Sequence, residues 1–359
     1  MSKGRRRDRR VYLSSHPLLF ALLAATRRRP VVRLGRTVVV HGRQAYLDAL
    51  TRVPMDRTAA GTTGGAARGL DAAELLFDQE GAAHRSTRRS LAEHLSSAGV
   101  TRLRPVWQAV LQRRIAPLTE GEAVDLVPLA AELAGVTIAA MLDVEVDPLT
   151  LADAARDAAA AAARDHIPGL PRPGQSRAAR AAADRLIGLL AGVHPPGRAA
   201  MLTVAAVNTT IAAIPRAVAW CADDGLWAGA ADPTTRMALV DELLRVTAPS
   251  PLLPRVAAAA AAVGDQPVEA GDRLVLVCRH AVDAHGSGPG WTAPAPPQVA
   301  QLVFGAGPHA CPGARLARAQ LADVLSALAP HRPMVVRARV DRHAALPGWA
   351  TLIVRAGPR

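Results

Sequence analysis

A chain of 359 residues, half of them apolar and a fifth charged, can bury a sizeable core and is too apolar for a disordered protein. Its formal charge of +13 favours acidic partners, and three widely spaced cysteines do not read as a disulfide framework or a zinc site. Aromatic residues make up only 3%, so aliphatic side chains must fill the interior, and the cysteine usage fits a reducing cytoplasm.

Residues 1–12 carry Lys3, Arg5, Arg6, Arg7, Arg9 and Arg10 against Asp8 alone and are expected to form a disordered basic tail. A single domain over 13–359 should follow. The apolar run 17–25 imitates a signal peptide. It is too short to cross a bilayer, which takes about 20 residues. Arg27, Arg28 and Arg29 follow it directly, with no small-residue cleavage site. It therefore predicts a short buried helix and no membrane anchor.

Two β-branched runs, 31–34 and 37–40, are split by Gly35-Arg36 and predict a hairpin. A helix is expected over 45–53. Residues 54–70, rich in Gly, Thr and Ala, predict a mobile loop. Helical periodicity recurs over 82–97, 102–117, 127–143 and 148–164. Prolines and glycines break the helix over 166–175, and another helix is expected over 176–193. Pro195-Pro196-Gly197 makes a stop. A long apolar helix then runs from about Arg198 to Ala222, with Pro215 inside to kink it.

Asp232-Pro233 opens a further helix that ends before Pro249. Strands are expected over 255–263 and 273–279, irregular chain over 284–298, a last helix from about Cys311 to Leu328, and β-structure over 333–356. The fold class that emerges is mainly α with small β-sheets.

The chemistry concentrates in the run Phe304-Gly305-Ala306-Gly307-Pro308-His309-Ala310-Cys311-Pro312-Gly313. Glycines permit tight turns, and Gly313 lets the backbone pass close to a flat ligand. A cysteine at a helix start is stabilised as thiolate by unpaired N–H groups and the helix dipole. Upstream, Glu242 and Arg245 lie three apart on one helix face, as an ion pair requires. His84 and Arg88 stack one turn apart. Cys221 and Cys278 lack any such context and are expected in the core.

The run 304–313 resembles the cysteine signature of the cytochrome P-450 family at Phe304, Gly305, Gly307, His309, Cys311 and Gly313. Glu242-Leu243-Leu244-Arg245 resembles that family's Glu-x-x-Arg motif. The resemblance implies a fold with haem between the long central helix and the cysteine helix. It implies Cys311 as the iron ligand of haem b (iron protoporphyrin IX). His84, Arg88, Arg255 and His309 are then contacts of its propionates, a cationic clamp for two carboxylates.

Ala205-Ala206-Val207-Asn208-Thr209-Thr210 resembles the family's oxygen-activating helix, with Thr209 in the expected place. Asn208 stands where the family has an acid and cannot ionise. Ala206 replaces a glycine and narrows the groove. Leu252, Leu253, the segments 54–80 and 160–178 and the neighbourhood of Trp349 are implied pocket walls. The chain is short for the family: Pro195-Pro196-Gly197 leaves little room for an intervening helix, and the usual arginine-containing meander before the cysteine run is missing.

The implied activity is a monooxygenase acting on a hydrophobic small molecule, with electrons from a ferredoxin and its ferredoxin reductase. A basic surface including Arg315 and Arg318 would dock the ferredoxin. Ala206 and Asn208 leave open a coupling, desaturation or peroxide-driven reaction, or a haem protein that binds without turnover. Nucleic-acid binding rests on charge alone, because no helix-turn-helix, zinc or RNA-binding signature is present.

Overall fold

A computed structural model describes residues 1–67, 76–166 and 175–358. Two helices open the chain, α1 (Lys3–Ser15) and α2 (Pro17–Thr26), followed by the hairpin β1 (Val31–Leu34) and β2 (Thr37–Val40). Gly35 turns the hairpin at φ +59°, in the left-handed region that Cβ-bearing residues avoid. Next come α3 (Arg43–Thr51), α4 (Thr63–Ala67), α5 (Gly81–Leu95), α6 (Ser97–Ile115), β3 (Ala123–Asp125) and α7 (Leu126–Leu142). The helices α8 (Pro148–His166) and α9 (Gln175–Leu189) lead to the 29-residue α10 (Pro196–Asp224).

After α11 (Trp227–Ala231) and α12 (Pro233–Thr247) lie β4 (Leu253–Val256), β5 (Ala261–Val263), β6 (Gln266–Val268) and β7 (Arg273–Leu276). The chain ends through α13 (Cys278–Ala281), α14 (Pro297–Ala300), α15 (Ala314–Leu328), β8 (Met334–Asp341) and β9 (Gly348–Arg355). Three small sheets result, ordered β1-β2-β7-β4, β3-β9-β8 and β5-β6.

Local chemistry sets the helix ends. The Asp125 carboxylate accepts from the Val127 amide to start α7, and Asp232 accepts from Thr234 with Pro233 in the first turn of α12. The core forms where α7 and α10 meet. Thirteen of the 17 residues of α7 are buried, and each large aliphatic side chain so buried is worth about 1.5–3 kcal/mol. Gly135 allows α7 close to the start of α8, because a Cβ there would stand 2.1 Å from the Pro148 carbonyl oxygen. Helix α10 runs unbroken through Pro215 and is the one described helix long and apolar enough to cross a membrane; 61% of its most apolar window is buried.

Several expectations are corrected. The basic tail is ordered helix: α1 packs on α10, and buried Asp8 accepts from Arg216 (2.9 and 2.6 Å) and from Arg279 (2.7 Å). Two buried guanidiniums need a carboxylate, and α1 supplies it. Helix α2 is only partly buried, through Phe20 and Leu23. Residues 54–70 include the short helix α4, and part of that loop lies outside the described residues. The break at 166–175 falls almost wholly outside them too. The last helix begins at Ala314 rather than Cys311, because Pro312-Gly313 make a turn first. No helix stands between α9 and α10, as the sequence spacing implies.

Candidate active site

The segment before α15 folds back on itself. Gly305 and Gly307 adopt φ +77° and +70°, and the Cys311 amide donates to the Phe304 carbonyl at 2.7 Å. Arg88 on α5 donates to the Ala310 carbonyl at 2.6 Å, which fixes the loop against α5. Cys311 therefore turns its accessible surface into a cavity of about 960 Å³. That volume lies at the upper end for small-molecule sites. Burial pushes the thiol pKa up, while the Gly313 amide and the charges of Arg88 and Arg318 pull it down. Cys221 and Cys278 are buried, and burial raises both, Cys278 to about 12.

Beneath the loop, Arg245 grips Glu242 through two bonds of 2.8 and 2.7 Å, both side chains buried. Arg245 also donates to the carbonyls of Val282, Asp283 and Gly288, and Glu242 accepts from the amides of Gly290 and Ala295. The pair thus pins 282–295 by its main chain, in the segment that lacks the arginine-containing meander.

One end of the cavity is cationic. His84, Arg88, Arg255 and His309 all line it, joined by Arg57. The His84 and His309 rings lie 3.9 Å apart by centroid. Among the described residues Arg255 donates to Thr63 Oγ1 (3.3 Å) and to its neighbour's carbonyl on Pro254 (2.8 Å) and to no carboxylate. Burial, then Arg57, brings its pKa down to about 10. Burial and the surrounding cations push His309 down to about 3. Glu80 is the one carboxylate bonded within this group, at 3.0 Å from Arg57, among the described residues. So much enclosed positive charge fits a ligand with two carboxylates beside the thiol, as haem has. Arg57 carries no motif; its only sequence signal is a charge inside a small-residue loop.

No protein-family model and no curated protein matches the chain. Solved structures do. Cytochrome P-450 BioI, solved with an acyl carrier protein bearing hexadec-9Z-enoic acid, superposes with a TM-score of 0.77 at 17% identity, covering 96% of this chain and 99% of that one. CYP164A2 of Mycobacterium smegmatis gives 0.75 at 23%, covering 96% and 97%. CYP109E1 of Bacillus megaterium, solved with testosterone, gives 0.76 at 17%, covering 97% and 100%. The chain has the cytochrome P-450 fold.

Within that fold α10 is the helix that faces Cys311 across the cavity. Ala206, Asn208 and Thr209 line it, with Leu252 and Leu253. The Thr209 hydroxyl donates to the Ala205 carbonyl at 2.7 Å, which leaves its oxygen lone pairs for an incoming donor. The Asn208 amide donates to Val204 (2.8 Å) and across to Ala155 of α8 (3.2 Å). A carboxylate in its place would set two acceptors against each other.

The rest of the wall is alanine-rich, from α8 and α9, with Met141 and Ile138 of α7. Ala345, Leu346 and Pro347 line the cavity, but Trp349 belongs to the core. Leu19 and Phe20 of α2 also line it, which the sequence did not indicate. The parts of 54–80 and 160–178 outside the described residues carry no placement. Of the docking arginines, Arg315 is exposed, whereas Arg318 is tied to Asp241 (2.5 Å) and lies over the Phe304 ring.

Proposed function

We propose that this chain is a haem-thiolate monooxygenase that oxidises a hydrophobic small molecule in the cytoplasm, with electrons from a ferredoxin and its reductase. The observation that carries the reading is Cys311 facing a large cavity whose one end, among the described residues, holds enclosed cations in excess of carboxylate. Bound haem b would supply the oxygen chemistry. The chain's own residues position it. Cys311 would ligate the haem iron as thiolate, with the Gly313 amide favouring that form against burial. Arg57, Arg88, Arg255, His84 and His309 receive two carboxylates. Gly305 and Gly313 leave room for a flat ring, and Phe304 backs the loop.

On the opposite wall, Thr209 can accept a hydrogen bond from water and hold it near the reacting centre. The apolar lining from α7 to α10 excludes bulk water and favours an apolar substrate. Exposed Arg85, Arg89 and Arg315 flank the loop and suit an acidic ferredoxin, so reduction should slow at high ionic strength.

The deciding experiment is the difference spectrum of the reduced, carbon-monoxide-treated protein. A strongly red-shifted Soret band that disappears in Cys311→Ala is expected. Haem uptake without that band would overturn the thiolate assignment. A second reading, a coupling, desaturation or peroxide-driven reaction, draws on Asn208, whose amide is spent on Ala155. One labelled oxygen atom from dioxygen in the product would remove it.

A further inference from the structure

Among the described residues, two helices of ten to 17 residues are strongly apolar, α2 and α7. Helix α7 buries 13 of its residues, whereas α2 buries two of ten. From Pro17 to Ala25 helix α2 contains no polar side chain. Leu18 is 88% exposed and Leu22 50%, with Ala21 and Ala25 exposed between and beyond them. Positions 18, 22 and 25 fall on one helix face, so this is a stripe and not the scatter normal for a protein surface. Directly after it stand Arg27, Arg28 and Arg29, all exposed, and Arg6, Arg9 and Arg10 are exposed on α1 just before it. None of these six is in an ion pair with a carboxylate among the described residues.

We infer that the exposed face of α2 docks on the surface of an anionic lipid bilayer. An aliphatic stripe flanked by arginines matches such a surface, which takes apolar side chains at the acyl boundary and cations at the headgroups. Ten residues rise about 15 Å, half of a hydrocarbon core, so α2 lies along the bilayer and does not span it. A second copy fits worse: a two-fold contact needs a self-complementary patch, and the exposed charges that flank this stripe in sequence are arginines. An acidic protein partner fits worse too, since the stripe is convex Leu and Ala without an aromatic anchor. Leu19 and Phe20 of the same helix line the cavity, so one helix thickness separates the lipid-facing stripe from the active site.

The test is flotation of the full haem-loaded chain with phosphatidylcholine vesicles, with and without phosphatidylglycerol. Partition onto the phosphatidylglycerol vesicles is expected, weakened about tenfold or more by Leu18→Ser with Leu22→Ser, which leave the charge unchanged. Far-UV circular dichroism and the haem spectrum should be unaltered in that variant. Leu18→Gln with Leu22→Gln gives a second series if the first fails to fold. No partition overturns the inference. So does partition that both pairs leave intact, because a chain of net charge +13 then binds by general attraction alone. A dimer in light scattering that dissociates in the serine pair, with no vesicle binding, assigns the face to a second copy. The readout needs no turnover, so failure here leaves the haem-thiolate reading untouched.

Discussion

On the Cys311 side of the cavity, polar side chains fasten loops through their main chain. Arg88 holds Ala310, Arg245 holds Val282, Asp283 and Gly288, and Glu242 holds Gly290 and Ala295. On the facing side, α8, α9 and α10 present mostly alanine, and a polar contact between elements at the cavity wall is the reach of Asn208 to Ala155. The first side is over-determined because a ligand atom, a ring plane and two carboxylates fix where its groups must stand. The second answers to substrate shape, and alanine sets volume without setting geometry. Chemical constraint leaves motifs; shape constraint leaves composition.

The comparison can be broken most directly at Cys311. Cys311→Ala should abolish the red-shifted carbon-monoxide band while circular dichroism stays unchanged. Glu242→Ala comes next. It strands the buried Arg245 and should cost about 3–5 kcal/mol in denaturant unfolding. A loss below about 1 kcal/mol would mean that the loop side does not depend on the pair.

Arg255→Ala removes a charged donor from the cationic end. Haem affinity should fall about tenfold to a hundredfold, from about 1.5–3 kcal/mol for a charged hydrogen bond, as read by haem transfer to apomyoglobin. Arg57→Ala should do the same more weakly, because Glu80 already shares that charge. The smallest effect sharpens the far wall. Asn208→Asp faces the Ala155 carbonyl with an acceptor and should cost about 1–3 kcal/mol of stability, leaving the thiolate band in place. A rise in stability would show that α8 gives way there.

The same contrast governs what sequence could reveal. The hairpin around Gly35, the start of α12 at Asp232-Pro233 and the Glu242–Arg245 pair are local, and their residue types name their geometry. The Cys311 run is local as well. Arg57 was invisible because its role comes from residues far along the chain. Near Trp349 the turn residues Ala345, Leu346 and Pro347 line the cavity, while Trp349, already inside β9, packs in the core. The start of α15 was displaced by three residues because Pro312-Gly313 is as compatible with a turn as with a first helical turn.

Helix α1 is the sharpest case. A run of arginines reads as solvent-facing unless the partner of Asp8 is known, and its partners lie 208 and 271 residues away. That separation has a consequence for synthesis. Asp8 leaves the ribosome 271 residues ahead of Arg279, so the carboxylate waits roughly 10–50 s, at about 5–20 residues per second, before its second guanidinium exists. Until then α1 can settle on α10 through Arg216, but its site lacks the second guanidinium and is completed only late in the fold. Trimming what looks like a dispensable tail would strand two guanidiniums, one made early and one late, in the interior without their shared carboxylate.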